Sequence, residues 1–518
     1  MARQKRQDSQ LGRISTVARR QKLPSPSDRA GCSHLCNRQG LSWAHLASIH
    51  QHNVQTGRPM VVSRLNWGPE NDCDVETATS CRRLGHHVDP MRYVSLGTFP
   101  IRRPVHGGQL RVNAIHRVLR DCGWETRHVV VTPNRGAKRE MEAGDLFIEM
   151  PRSFRKKMAR RKWRSDVAAA EFIAGSKSHR REIARFLDGF RPDVIALEQC
   201  WLWPALREYV ETCSPEARFS IVYSSHNVEQ EILAQEAMIA GAEMDFWSAQ
   251  RAADIEPDLA AKADLIVAVS EQDATYFRKL NPSVVVAANG IWPREMPIGL
   301  DRWASRFAGL RTALFVGSGH PPNARGFLQM TGPDLGFLSA SERIVVVGDV
   351  ADQIRNDPGF PRHGGADKAR IELLGVQDGA TLSALIELAD VVMLPILEGG
   401  GTNIKTAEAL YNRKPVVATT FALRGYEQFK HWRNVRLADR PDDFRDLLAQ
   451  ALRSEPEELK SADIAQLDTL LWTSTLRRLS EQFAALPRRQ RQATANPANG
   501  RGRFLRGLLR RLGLIGKS

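Results

Sequence analysis

From Met91 onward, short apolar runs alternate with longer stretches whose apolar residues recur at helical spacing; residues 1–90 show no sustained periodicity of either kind. Met91-Arg-Tyr-Val-Ser-Leu-Gly-Thr-Phe-Pro predicts a strand running into a Gly/Pro loop. Leu110, Ala114, Ile115, Val118 and Leu119 then share one helical face, and 128–132 (His-Val-Val-Val-Thr) predicts the next strand. Buried-strand candidates follow at 193–197, 220–224, 264–269 and 283–287, the last ending in the turn pair Asn289-Gly290. A second series occupies 312–316, 343–347, 390–394 and 415–419. Strands alternating with helices are the mark of an α/β sheet. Two consecutive series of similar size predict two Rossmann-like sheets, with the break near 292–310. Leu470, Leu471, Leu476, Leu479 and Phe483 predict a closing helix over 466–486.

The expected organisation is therefore an N-terminal domain over 91–295, a C-terminal domain over 296–465, the closing helix, and two outer segments, 1–90 and 487–518. Length agrees, because 518 residues exceed one ordinary core. Residues 1–90, rich in Gln, Arg, Ser and His, are expected to be disordered, with the native domain starting at Met91.

Charge changes the picture only at the ends. The chain carries a net +16, but 1–90 holds +6 and 487–518 holds +9, leaving 91–486 at +1. A nearly neutral body without basic and aromatic residues interleaved argues against nucleic acid. Seven cysteines, odd in number and scattered, are no disulfide framework. Cys32-x-x-x-Cys36, with His34, Cys73 and Cys81, matches no common zinc spacing, and incidental thiols are the better reading. No apolar run approaches the roughly 18–20 residues that span a bilayer, and no apolar signal core follows the N-terminus. A cytoplasmic protein is expected.

Open α/β sheets bind ligands beyond the carboxyl ends of their strands. The loop after 390–394 reads Glu398-Gly399-Gly400-Gly401-Thr402-Asn403-Ile404-Lys405-Thr406-Ala407-Glu408. Its glycines let backbone N–H groups approach an anion, and the helix expected from near Thr402 adds its positive end. Lys405 supplies a full charge for a diphosphate. Glu408, a turn later, can accept both hydroxyls of a ribose. The plain alternative is a Gly-rich loop with Lys405 and Glu408 on a solvated helix face. The loop lacks the G-x-x-x-x-G-K-[ST] pattern of ATP-hydrolysing P-loops.

The run GGGTNIKTAEALYNRKPVVATTFALRGYE over 399–427 resembles the donor-binding signature of the GT-B glycosyltransferase group that includes family 4. Other segments follow in the family's order. Pro104-Val-His-Gly107-Gly108-Gln-Leu-Arg111 resembles the glycine loop after the first strand, and Ser224-Ser-His226-Asn227-Val-Glu229 the His-Asn-x-Glu loop of the acceptor domain. Asn289-Gly290-Ile291 resembles that domain's end, and Phe315-Val-Gly317-Ser318 with Pro322-Asn323 the donor domain's opening. Gly375-Val376-Gln377 falls where the family contacts the base through its main chain.

The resemblance implies two Rossmann-like domains about a cleft and retaining transfer of a sugar from a nucleotide-sugar to a glycan or lipid-linked acceptor, without metal or other cofactor. It assigns Lys405 to the leaving diphosphate, Glu408 to the ribose, and Gly400, Gly401, Thr402 and Asn403 to the phosphates. Gly107, Gly108, Gly317 and Val376 complete the donor set, while His226 and Glu398 join Lys405 near the reacting centre. Two departures stand out. Nine residues separate Glu398 from Glu408 where family members commonly have seven, and the usual arginine is missing at Gly317-Ser318. Arg325 is either its substitute or an exposed helix residue.

In the tail, Phe504, Leu505, Leu508, Leu509, Leu512 and Ile515 fall on one helical side, with Arg503, Arg506 and Arg510 toward another. Such a segment suits peripheral contact with an anionic membrane leaflet; a disordered basic tail is the alternative. Two other functional readings are a nucleotide-sugar epimerase on the same fold and a non-catalytic binding protein with basic arms.

Overall fold

The computed structural model describes residues 90–488 apart from 215, 241–242, 294–295, 333, 359 and 361–368. The segment 1–89, with its cysteines, and the amphipathic stretch expected within 503–515 lie outside the described residues.

The first lobe runs β1 (Arg92–Gly97), α1 (Gly107–Asp121), β2 (Glu125–Thr132), β3 (Leu146–Glu149) and α2 (Arg152–Arg161). It continues through β4 (Val194–Glu198), β5 (Ser220–Ser224), α3 (Glu229–Ala240), α4 (Glu243–Lys262), β6 (Leu265–Ala268) and β7 (Val284–Val286). Its seven strands pair in the order β3-β2-β1-β4-β5-β6-β7, each neighbouring pair parallel. The second lobe contains β8 (Arg311–Val316), α5 (Pro321–Thr331), β9 (Glu342–Val347), β10 (Ile371–Gly375) and β11 (Val391–Leu394). Then come α6 (Ile404–Tyr411), β12 (Val416–Ala418), β13 (Val435–Leu437) and α7 (Pro441–Arg453). The six strands pair β10-β9-β8-β11-β12-β13, again parallel throughout.

The Val/Ile-rich character of the central strands follows from burial on both faces. Along β4, for example, alternate residues reach separate cores: Ile195 and Leu197 join one cluster, Val194 and Ala196 another. Strand order reverses between β1 and β4 in the first sheet and between β8 and β11 in the second. At such a switch point the loops diverge to opposite faces and leave a crevice. The loops after these four strands line the site, joined by the loop after β5 that bears His226 and Asn227 and by Asn289 after β7.

Three strands escape the pattern of apolar runs. β3 (Leu-Phe-Ile-Glu) and β10 (Ile-Glu-Leu-Leu-Gly) each carry a glutamate, and β13 is the three-residue Val-Arg-Leu; all three are edge strands, partly exposed.

The closing segment differs from the expected single helix. It forms a 3-10 turn at Leu467–Leu470 and short helices at Trp472–Thr475 and Leu479–Ala484. Between the first two, Leu471 is extended (ψ 145°) and bridges to Ile291 in parallel fashion. Thr473, Ser474 and Thr475 favour such a break, since their hydroxyls compete for backbone groups. Gly290 makes the crossing possible: a Cβ there would lie 2.7 Å from the backbone N of Trp472. Trp472, Leu476, Leu479 and Phe483 then pack into the first lobe beside Tyr93, with the Phe483 ring stacked on Tyr93 at 5.8 Å.

Candidate active site

The loop after β11 turns twice through positive φ, at Gly399 (123°) and Gly401 (59°), where an L side chain is strained. Its approach to the first lobe is close. A Cβ on Gly400 would fall 1.7 Å from Ile232 Cδ1, and one on Gly401 2.6 Å from the carbonyl oxygen of His226. α6 begins at Ile404 rather than at Thr402. Its N-cap, Asn403, makes no side-chain cap bond, so the first-turn N–H groups have no cap from that side chain.

Lys405 sits in that first turn. Burial pushes its ammonium down to about 8, against the pull of Glu408. Its Nζ donates to Asn323 Oδ1 at 2.6 Å. Asn323 is itself oriented, donating from Nδ2 to the Ser318 carbonyl at 2.9 Å. The cation is thus held by one neutral oxygen, without a carboxylate in salt-bridge contact among the described residues.

From the first lobe, Gly107 and Gly108 open α1, with the His106 ring accepting from the Gln109 N–H. Gly108 underlies His226: a Cβ there would be 3.3 Å from His226 Nδ1. The other ring nitrogen, Nε2, lies 3.2 Å from Glu198 Oε2. Glu198 ends β4 and is fully buried, also accepting from the Tyr93 hydroxyl at 3.1 Å. Burial alone would raise its pKa, but the hydrogen bond and charge of His226, with the charge of Arg111, outweigh it and hold the carboxyl below its usual range. A carboxylate on Nε2 keeps a proton on that nitrogen, and Nδ1 is the ring atom on the Gly108 side.

These pieces enclose a cavity of about 500 Å3 between the lobes. Gly107, Gly108, His226, Gly317, Glu398, Gly400, Gly401, Thr402, Asn403, Lys405 and Glu408 all line it. Val376 does not; it is 67% exposed, beyond a turn at Gly375 with φ 68°. Arg325 is also outside the lining, and its guanidinium Nε donates to Glu398 Oε1 at 2.7 Å. Glu398 therefore faces the cavity with its charge already paired.

Several lining residues had no place in the proposed set. Arg111 is 1% exposed and donates to the Ala287 carbonyl at 2.8 Å and to Asn289 Oδ1 at 3.2 Å. Burial lowers its pKa to about 10 despite Glu198 and the other acidic groups around it. Asn289 continues across the lobes, donating to the Thr402 carbonyl at 3.2 Å. The signal for Arg111 was positional: it shares a helical face with Ile115 and Val118. Glu229 and Arg164 line the cavity wall. Burial, then the neighbouring Glu256 and Asp166, pushes Glu229 up to about 8, and burial pushes Glu256 to about 7.

Gly401→Ala should be damaging without touching a reactive group. Left-handed backbone costs an ordinary residue roughly 1–2 kcal/mol, and the new methyl meets the His226 carbonyl. We expect a melting temperature lowered by several degrees and weaker nucleotide binding by calorimetry. Wild-type values for both would show that the loop does not need this approach.

Two parallel sheets with a cleft at facing switch points define the GT-B class of two-lobed glycosyltransferases. Each lobe also matches its own family model: residues 106–290 the glycosyl transferase 4-like domain, and 311–454 the glycosyl transferases group 1. The chain belongs to the group 1 glycosyltransferases and is an enzyme of that type. No curated protein sequence matches it. Among solved structures it is similar to HepE of Anabaena in complex with UDP-glucose, at 15% identity over 76% of this chain and 100% of that one, TM-score 0.52. It is also similar to a trehalose-phosphate synthase of Burkholderia xenovorans in complex with glucose-6-phosphate, at 14% identity over 76% and 99%, TM-score 0.53. A glycosyltransferase of Rickettsia africae matches at 12% identity over 77% and 99%, TM-score 0.51. Among the described residues, no helix is long and apolar enough to cross a membrane.

Proposed function

We propose that this enzyme transfers a sugar from a nucleoside-diphosphate sugar to a hydroxyl of a glycan or glycolipid, with retention at the anomeric carbon. The observation that carries the reading is Lys405, partly buried at the start of α6, whose hydrogen-bond partner among the described residues is a neutral oxygen, in a cavity it shares with Glu408 and His226. A partly desolvated ammonium so placed gains most from an arriving anion, and a diphosphate is the anion that the adjacent glycine loop can also cradle.

In this reading the anomeric carbon–oxygen bond to the diphosphate breaks as the acceptor oxygen bonds to the same carbon. The acceptor's proton passes to the departing phosphate oxygen. Lys405 and the N–H groups around Gly400–Asn403 stabilise charge growing on the leaving group. Glu408 holds the ribose, and His226 Nδ1 accepts from a sugar hydroxyl. Retention rests on the likeness of the 399–427 run to the family signature. The UDP-glucose in the HepE structure makes UDP-sugars the first donors to try.

A thermal-shift screen against UDP-, GDP-, ADP- and dTDP-sugars tests the site. Stabilisation by at least one donor, lost in Lys405→Ala and weakened in Glu408→Ala, is expected. Stabilisation that survives both substitutions would remove this cavity as the donor site.

A further inference from the structure

Between Arg152 and Lys162 the chain carries seven basic residues and no acidic one. This is α2 with its C-cap, on the first lobe. Phe154 and Met158 turn inward against the core, which leaves the cations outside. Arg155 pairs with Glu149 at 2.8 Å; Arg152, Lys156, Arg160 and Arg161 are exposed and have no carboxylate within ion-pair distance among the described residues. A helix facing a neutral body gains nothing from that concentration of charge, since like charges three and four residues apart repel.

Its surroundings add the second half of the argument. Trp163, directly after α2, stacks on Trp247 of α4 at 5.1 Å and 11°. That contact joins α2 to the tip of the α3–α4 hairpin, where Met238 is 77% and Phe246 50% exposed. The next residue, Arg164, lines the cleft and bonds Glu236 of α3. A row of free cations beside protruding apolar side chains thus borders the cleft wall.

We propose that the α2 face and the tip of the α3–α4 hairpin dock on an anionic lipid bilayer, which places the cleft next to the headgroup plane. The cations meet lipid phosphates, and Met238 and Phe246 enter the interface. A nucleic acid would use the charge but leave the apolar tip uncovered, and the two tryptophan rings are already stacked on each other. The surface stands independently of the donor-site assignment.

Flotation of the full chain with phosphatidylcholine vesicles, with and without phosphatidylglycerol, tests it. Binding should require the anionic lipid. The triple variant Lys156→Glu/Arg160→Glu/Arg161→Glu should bind at least about thirtyfold more weakly, with an unchanged melting temperature. Should charge reversal lower the folded yield, Lys156→Gln/Arg160→Gln/Arg161→Gln should still bind more weakly than wild type. Met238→Ser/Phe246→Ser, which alters no charge, should lose the fraction of binding that resists high salt. Anionic-vesicle binding that is unchanged in the charge variants would place any membrane contact elsewhere, including the basic C-terminal segment, and overturn the proposal. Displacement of the vesicles by RNA at equal phosphate concentration would overturn it too.

Discussion

Lys405→Ala should reduce sugar transfer by about a thousandfold, the scale expected when one strong electrostatic contact to a leaving group is removed. Donor binding should weaken in parallel, because in the proposed reading the ammonium meets the diphosphate before the bond breaks as well as after. Lys405→Arg keeps the charge, yet its planar guanidinium cannot repeat the single short bond to Asn323, so only partial recovery is expected. The wild type should also show a pH signature. With the ammonium lowered to about 8 by burial, donor affinity should fall as pH rises through that value, since the protonated form binds. The stability of the donor-free protein should move the other way. Between about 8 and the ordinary lysine value near 10.4, the unfolded chain binds more protons than the folded one, so Lys405 penalises folding progressively less as pH rises. Subtracting the Lys405→Met stability curve from the wild-type curve isolates this contribution. A flat difference across that window, with donor affinity also flat, would show that the lysine is not buried as a strained cation.

The 399–427 loop was legible because one stretch of chain holds its glycines, cation and carboxylate together. The same holds for Gly107-Gly108 and for His226-Asn227, each placed by the strand before it. What stayed hidden are contacts between distant segments. Asn323 and Lys405 are 82 positions apart, and Glu198 and His226 are 28 apart; only folding shows that each pair meets. Arg325 illustrates the same limit: sequence offered a substitute cation, and the fold turns it onto Glu398. Leu467–Leu470 and the turns after it misled for a local reason. Their leucine spacing is helical, but the bridge from Leu471 to Ile291 and the Thr-Ser-Thr run outweigh it.

Glu198→Gln should cost about 3–5 kcal/mol of stability, the penalty for breaking a buried ionic arrangement from one side. Its side chain has no exposed surface, bonds His226 and Tyr93, and feels the charge of the equally enclosed Arg111 without an ion-pair contact. The amide would remove the first of the charges that support that cation and leave Asp273 as its remaining carboxylate. A depressed carboxylate pKa stabilises the fold above the unfolded value of about 4.3 and loses that contribution as pH falls through the lower, folded value. The wild type should therefore lose stability on acidification with a component that Glu198→Gln lacks, measurable by thermal melts from neutral pH downward. His226→Ala separates the catalytic share from the structural one. It leaves Glu198 beside Arg111 and Tyr93, so its stability loss should be smaller than that of Glu198→Gln. Under the proposed assignment of Nδ1, which lies beside Gly108, to a sugar hydroxyl, transfer should nonetheless fall about a hundredfold or more, with nucleoside-diphosphate binding nearly unchanged. If His226→Ala instead weakened binding of the free nucleoside diphosphate as much as it slowed transfer, the histidine would belong to the nucleotide half of the cleft, and its assignment to the sugar would fail.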